Sequence, residues 1–594
     1  MAFQTLSDFA RYLESIGELH RVKVEVDPYL EITEIASCAL REQKPALLFE
    51  RVKGASFPLV IHTLATERRV ELALQKHPQQ FGEEIVEFFE QVVPPSLSTL
   101  WKHRTMAWRL ASSRTKLVSS GISQEVVALP NLDLLPIQTC WPEDGGRFLT
   151  LGQVMTYDPI DSKRNMGIYR LHVYDHQTTG MHWQIQKGGG FHYYRASQLG
   201  KDLEVAVALG TDPALLIAAV AALPEGVDEA LLASFLRGKP VPMVRGKSIS
   251  IQVPANAEFI LEGRVPLNER RVEGPFGDHF GHYSQSAPFP VFHLSAMTHR
   301  RNALYPATIV GIPPMEDKFL GDATQQILGP LVRLVHREVK DLWAYYETGF
   351  HNLLVVSVEE RYNKEAMKAA FGLLGTGQLS LSKCVVLVSE GVDPRNWTAV
   401  LNEILVHFDP HYDFLLLPKV PLDTLDFTSF QMELGSRMIL DATRKKQQGE
   451  GEHDRPAKKV SQNHRLKDGR GLDRRIIDSV LLEECLLLVK VKKEGRLVVE
   501  KLVRKKELQS IPMIAAVSED VDIHDRENAL WGLFTRFDCE RDVVFTEQKL
   551  FGISPVYKGV MGIDATWKKG YPQPLRMPEE VVRLVEARWE EYWR

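Results

Sequence analysis

Glu273 and Asp278 sit either side of a Gly274-Pro275-Phe276-Gly277 bend. Such a bend can aim both carboxylates into one cavity, where unlike surroundings split their pKa values into acid and base roles. The same pattern also makes ordinary surface turns, so spacing alone leaves both readings open. Asn165-Met166-Gly167-Ile168-Tyr169-Arg170 reads as a strand, and period-two alternation puts Ile168 and Arg170 on one face. A guanidinium between two carboxylates keeps one of them ionised and offers a bidentate clamp to a substrate carboxylate. Taken alone, Arg170 reads as a surface or structural arginine. In Met181-His182-Trp183-Gln184-Ile185-Gln186-Lys187, a strand would place His182, Gln184 and Gln186 on one face. The glycines that follow, Gly188 to Gly190, let a ligand approach the backbone, and Lys187 can meet a phosphate. A flexible hairpin tip explains that segment equally well. Glu229 heads an amphipathic helix, where the helix dipole already favours a first-turn acid.

These groups need a scaffold large enough to bury them. The chain has 594 residues, room for about four domains at roughly 150 residues each. Its 72 Lys+Arg and 77 Asp+Glu leave a net charge of −5, which argues against a nucleic-acid coat or a polybasic membrane binder. A hydrophobic fraction of 44% and a charged fraction of 25% are those of an ordinary globular protein. No apolar run reaches the ~20 residues of a membrane span. The start, Met1-Ala2-Phe3-Gln4-Thr5, lacks the basic and apolar regions of a signal peptide. Cys38, Cys140, Cys384, Cys485 and Cys539 form no close pair or metal spacing, as expected of buried thiols in a reducing compartment. The expectation is a cytoplasmic protein with no nucleic-acid partner and no transmembrane segment; peripheral membrane contact stays open.

Along the chain, residues 1–125 alternate helix and strand patterns, with Ser7 as the cap of the first helix. Residues 126–320 carry short β-like runs between Gly, Pro and Asp turns, the pattern of a barrel or curled sheet. An α/β pattern returns over 321–443, followed by a charged linker at 444–475 and a second βαβ module with a C-terminal helix at 476–594. That module repeats the preceding one: Val388-Ser389-Glu390 recurs as Val517-Ser518-Glu519, Phe408-Asp409 as Phe537-Asp538, and Asp441-Ala442-Thr443 as Asp564-Ala565-Thr566. None of the candidate catalytic residues recurs in it.

Taken in order, these segments resemble the UbiD-type decarboxylases, which depend on prenylated FMN. Cys140-Trp141-Pro142-Glu143-Asp144-Gly145, Pro306-Ala307-Thr308-Ile309-Val310-Gly311, Pro314-Met315-Glu316-Asp317 and Leu434-Gly435-Ser436-Arg437-Met438 also fit that family, and the likeness spans roughly residues 5–445. It implies an α/β fold with a central β-rich, FMN-binding split barrel flanked by α/β domains. By the same resemblance, Arg170, Glu273 and Asp278 are the catalytic set. Asn165 and Glu229 are implied metal ligands, with Gln186 where many members carry a histidine. An amide oxygen serves Mn2+ or Mg2+ but binds a transition ion less strongly than imidazole. Asn165, Ile168, Tyr169, Arg170, His182, Trp183, Gln184, Lys187, Gly188 and Glu229 are implied to hold the flavin, with Lys383 as a further phosphate contact. K+ is an additional candidate ion.

Loss of CO2 from an aromatic acid leaves a carbanion that side chains alone stabilise poorly, so an electron-sink cofactor is required. The implied reaction is non-oxidative, reversible decarboxylation of a hydroxyaryl acid, a menaquinone or ubiquinone precursor, with Asp278 returning the proton. That role asks for an Asp278 pKa raised by burial or by Glu273. A flavin prenyltransferase is the implied cofactor supplier, and a homo-oligomer the implied assembly. Two other classes stand beside this one: a catalytically weak cofactor-binding subunit or carrier, and a flavin-free metal enzyme.

Overall fold

The computed structural model describes residues 3–93, 96–183, 187–445 and 469–594. Gln184, Gln186 and most of the expected linker lie outside the described residues. The chain divides into two compact units, Met1–Leu328 with Gln573–Arg594, and Gly329–Pro572. Residues 573–594, read from the sequence as the end of the second module, thus belong to the first unit.

The first unit opens with α1 (Leu6–Ser15), whose buried stripe is Leu6, Phe9, Ala10 and Leu13. Thr5 is its cap, accepting from the Asp8 N–H at 2.9 Å. Ser7, the cap expected from sequence, instead donates to the buried Glu258 at 2.6 Å, a partner 251 residues away that local pattern cannot show. Next come β1 (Leu19–Val22), α2 (Glu31–Arg41), β2 (Ala46–Phe49) and β3 (Leu59–Ile61). β1 and β2 pair in parallel, and β3 runs antiparallel to β2.

The central sheet is built from β4 (Val126–Ala128), β5 (Gln153–Tyr157), β6 (Arg164–Ile168), β7 (Thr178–Gly180), β8 (Leu203–Leu209), β9 (Phe259–Val265), β10 (Arg270–Glu273) and a 13-residue strand, Ala287–His299. Between β8 and that long strand lie α4 and the hairpin that carries Asp278. α3 (Gly188–Gln198) precedes β8, α4 (Glu229–Arg237) follows it, and the hairpin strands are β11 (Phe276–Gly277) and β12 (Tyr283–Ser284). The long strand is β13, and β14 (Tyr305–Ala307) returns to pair with β3. The sheet order is β7-β13-β9-β8-β5-β6, with β10 and β4 also on β13, every pairing antiparallel. The sheet closes into no barrel among the described residues. Its apolar residues Met155, Met166, Ala206 and Ile260 feed one core, and a second core includes Phe9, Leu48, Val60 and Ile217 from outside the sheet. Burial of this kind contributes about 25 cal/mol per Å² of apolar surface and fixes the strands that carry the site.

The second unit holds two five-stranded sheets of the same order and direction. One consists of β15 (Val339–Ala344), β16 (Leu353–Val358), β17 (Cys384–Ser389), β18 (Phe414–Pro421) and β19 (Leu434–Asp441), ordered β15-β16-β17-β19-β18. The other consists of β20 (Ile476–Leu482), β21 (Leu486–Val491), β22 (Met513–Ser518), β23 (Val543–Phe551) and β24 (Ser554–Ala565), ordered β20-β21-β22-β24-β23. Details repeat as well. Asp441 accepts from the Thr443 hydroxyl at 2.6 Å, and Asp564 from the Thr566 hydroxyl at 2.6 Å. Ser389 accepts from the Arg444 N–H, and Ser518 from the Trp567 N–H.

Lys383, implied above as a phosphate contact, is fully buried and pairs with buried Asp426 at 2.9 Å. Its charge is neutralised there, and only a partner distant in sequence decides that. Lys383→Met leaves Asp426 uncompensated and is expected to cost about 3–5 kcal/mol, whereas Lys383→Met with Asp426→Leu recovers most of the loss. Urea unfolding of the single and double variants checks this.

Candidate active site

β6 runs beside β5 in a register that pairs Thr156 with Asn165 and Gln153 with Ile168. Just beyond the strand end, Arg170 turns into the protein and is 8% exposed. Its Nε donates to Glu273 Oε1 at 2.8 Å and its Nη2 to Ser284 Oγ at 2.9 Å, while Nη1 contacts Asp278 Oδ2. The guanidinium also lies over the Phe276 ring, 4.8 Å from its centre. Glu273 ends β10 and is completely buried. Its second oxygen faces His182 Nδ1 at 2.8 Å. Asp278 follows β11, and its other oxygen accepts from the His279 N–H at 2.8 Å and lies 2.9 Å from His279 Nδ1.

Burial alone would raise both carboxyls, but Arg170 outweighs it. With His182 it holds Glu273 at about 2, and with His279 it holds Asp278 far below the usual carboxylate range. This corrects the expectation of a raised Asp278 pKa: the guanidinium is shared by both acids, so both are ionised in this arrangement. Burial and Arg170 lower the His182 pKa against the pull of Glu273. A neutral imidazole facing an ionised Glu273 carries its proton on Nδ1 and leaves a lone pair on Nε2.

A second group of residues adjoins this one through His182-Trp183. Asn165 lies on β6, and the carboxylate of Glu229, first residue of α4, accepts from the Met166 N–H at 2.8 Å. Burial pushes Glu229 up to about 8. Gly188 to Gly190 begin α3 and are no hairpin tip. A Cβ on Gly188 would stand 2.0 Å from Asn165 Oδ1, and one on Gly189 2.5 Å from Trp183 Nε1. The Gly189 N–H donates to the Tyr169 hydroxyl at 3.3 Å.

Asn165 Nδ2, His182 Nε2 and Trp183 Nε1 are buried without a hydrogen-bond partner among the described residues. Unpaired buried polar atoms are costly, and Asn165 and Trp183 line the backbone at Gly188 and Gly189 that a side chain would fill. The oxygens of Asn165 and Glu229 are the hard donors that Mn2+ or Mg2+ accepts. These residues fit a metal-bound, phosphate-bearing ligand with a polar ring. Gly188→Ala forces Asn165 to move, and at least a tenfold loss of bound flavin per chain is expected, with the fold retained by circular dichroism.

The structure thus brings Arg170, His182, Glu273 and Asp278 together, and Asn165, Tyr169, Trp183, Gly188 and Glu229 beside them. Ile168 packs its partly buried side chain against both apolar cores. Lys187 precedes α3 and makes no side-chain cap. His182 and Trp183 lie outside any strand, and the rest of the strand expected over His182–Gln186 lies outside the described residues.

Residue spacing did not reveal Ser284, His279 or Asp144 as parts of the site. Asp144 accepts from the N–H groups of Cys140, Trp141 and Gly277 at 3.0, 2.8 and 2.7 Å, tying one loop to the bend between the two acids. Burial pushes Asp144 up to about 7 against those donors. Its signal was the Cys-Trp-Pro-Glu-Asp-Gly motif; Ser284 offers none.

Family models of the 3-octaprenyl-4-hydroxybenzoate carboxy-lyase match the chain in three parts. The N-terminal domain matches 10–89, the Rift-related domain 116–313, and the C-terminal domain 318–442 and 481–565. A protein of Archaeoglobus fulgidus is 43% identical over 447 residues, 75% of this chain and 92% of that protein. A protein of Chlamydia pneumoniae, named as a subunit of 4-hydroxybenzoate decarboxylase, is 35% identical over 578 residues, 97% of this chain and 96% of that protein. Among solved structures, vanillic acid decarboxylase of Sedimentibacter hydroxybenzoicus in closed form superposes with a TM-score of 0.68 at 25% identity, over 79% of this chain and 97% of that one. An evolved dimeric form of the UbiD-class enzyme HmfF from Pelotomaculum thermopropionicum, in complex with prFMN, gives 0.61 at 27% identity, over 76% and 97%. With three domain models in chain order and relatives matched over nearly its full length, the chain belongs to the UbiD family of decarboxylases.

Proposed function

We propose that the chain is a non-oxidative, reversible decarboxylase of a hydroxyaryl acid, acting on a quinone precursor with prenylated FMN. The observation that carries this reading is the buried Arg170 bridge between Glu273 and Asp278, set beside Asn165, Glu229 and the Gly188 cradle. The names of the Chlamydia pneumoniae and Sedimentibacter hydroxybenzoicus proteins support an aromatic acid as substrate.

The cofactor, when bound, supplies the electron sink for the charge left by departing CO2. Asn165 and Glu229 would hold its divalent ion, Mn2+ or Mg2+, and Tyr169, Trp183 and the α3 N-terminus would hold its phosphate and ring. Arg170 receives the substrate carboxylate. A third carboxylate at this guanidinium competes with Asp278, and as that contact weakens burial raises the Asp278 pKa. Asp278 then takes up a proton and returns it to the carbon that lost CO2. Glu273, locked by Arg170 and His182, keeps the guanidinium in place.

Co-expression with a flavin prenyltransferase, followed by CO2 release and deuterium exchange across a panel of hydroxyaryl acids, tests this. Bound modified flavin with turnover on at least one acid is expected. Flavin bound without turnover or exchange on any acid would point to a carrier, and metal without flavin to another chemistry.

A further inference from the structure

The hairpin that carries Asp278 is held on its outer side by a segment from the far end of the chain. The turn is closed within itself: the Gly281 N–H donates to Asp278 O at 2.9 Å, and the Asp278 N–H to His282 O at 3.2 Å. Gly281 has φ +71°, a conformation that favours glycine. This leaves the Gly281 carbonyl and the Tyr283 N–H pointing outward. Gln573–Leu575 satisfies both: the Leu575 N–H donates to Gly281 O at 2.9 Å, and the Tyr283 N–H to Gln573 O at 3.3 Å. His282 and Pro574 form the bridge between them. Leu575 is buried and packs so closely on Gly277 that a Cβ there would stand 2.8 Å from its methyl.

The segment then runs into α5 (Glu579–Tyr592), which buries only Val585 and Tyr592 of its own residues. A helix with so small a buried face gains little from packing. It is pinned by its last turn. Tyr592 donates to Glu31 on α2 at 2.7 Å, Arg588 pairs with the same carboxylate at 2.5 Å and donates to Glu25 O at 3.1 Å. His20 stacks on Trp593 at 4.7 Å, and Lys44 lies 4.6 Å from the centre of the Trp593 ring. One end of the segment is therefore anchored on the first α/β layer and the other is bridged to the Asp278 hairpin. It lies beyond residue 565, where the family-model matches end.

We propose that Gln573–Arg594 is a strap that positions Asp278 against Arg170, acting through the hairpin and not by touching substrate. This rests on the catalytic reading of Asp278 given above. Asp144 braces the inner bend at Gly277, and the strap braces the turn from outside. A displacement near 1 Å at a reacting group is enough to cost about 10²-fold in rate.

The test uses two full-length variants loaded with flavin by co-expression: Leu575→Gly, which empties the contact on Gly277, and Arg588→Ala with Tyr592→Ala, which releases the anchor far from the hairpin. Amide hydrogen exchange at Gly277–Tyr283 is expected to rise about tenfold or more, and kcat to fall about tenfold with KM and flavin content unchanged. Wild-type exchange at the hairpin, or a lower melting temperature with kcat unchanged, overturns the proposal. If Leu575→Gly does not fold, the anchor variant decides by the same readouts. Should Asp278→Asn keep full turnover, the catalytic reading fails; the exchange measurement still reports whether the strap holds the hairpin.

Discussion

Asp278→Asn lowers turnover about 10²–10⁴-fold, the usual contribution of a positioned proton donor, while flavin stays bound. Asparagine keeps the shape, but its single amide oxygen can accept from Arg170 or from the His279 N–H and not from both, so one of these contacts is lost. It has no acid proton to give. The loss should fall on kcat, because Arg170 remains to receive the substrate carboxylate. Deuterium incorporation at the vacated carbon of the decarboxylated product isolates the proton step and should fall in parallel with CO2 release. Full turnover with cofactor bound would show that Asp278 is only an ion-pair partner of Arg170.

Arg170→Met is expected to be the most damaging single change in the site. It removes the one cation shared by two buried carboxylates and leaves Glu273 with His182 alone. Loss of one partner from a buried ion pair costs about 3–5 kcal/mol, and turnover should disappear with the carboxylate clamp. Arg170→Lys does not rescue, because an ammonium cannot span Glu273, Asp278 and Ser284 with fixed forked donors.

The pH dependence of stability separates this from a generic packing defect. In the native site the Glu273 carboxyl is depressed to about 2 from an ordinary 4.5. A depressed carboxylate adds stability above its unfolded pKa and loses it as pH falls through the folded value. Acid unfolding should therefore steepen below pH 4.5 and continue toward 2. Without Arg170, burial dominates and raises the carboxyls. The sign then reverses, and Arg170→Met should lose stability as pH rises above the ordinary carboxylate range. Denaturant midpoints across the acid range read both slopes.

Much of this protein is legible along the chain. The internal repeat is carried by local patterns, Val-Ser-Glu at a strand end and Asp-Ala-Thr at another, and both recur at matching places in two sheets of one order. Glu229 heads its helix because Asp228 caps it and the apolar spacing follows. Arg170, Glu273 and Asp278 were nameable because residue type, order and family resemblance agree. The cap of α1 is not legible for the opposite reason: Ser7 has its partner at Glu258, 251 residues away, and Thr5 takes the cap.

Residue type and order determined which groups could do chemistry and roughly which strands and helices carry them. Tertiary structure decided their charge states and their supports. The pKa of Asp278 depends on a guanidinium 108 residues earlier in the chain, and that of Glu273 on the same group 103 residues away. Lys383 is neutralised by Asp426, and the Asp278 turn is completed by residues 573–575. Electrostatic energy and hydrogen bonding depend on distance in space and on burial, and neither is encoded in spacing along the sequence.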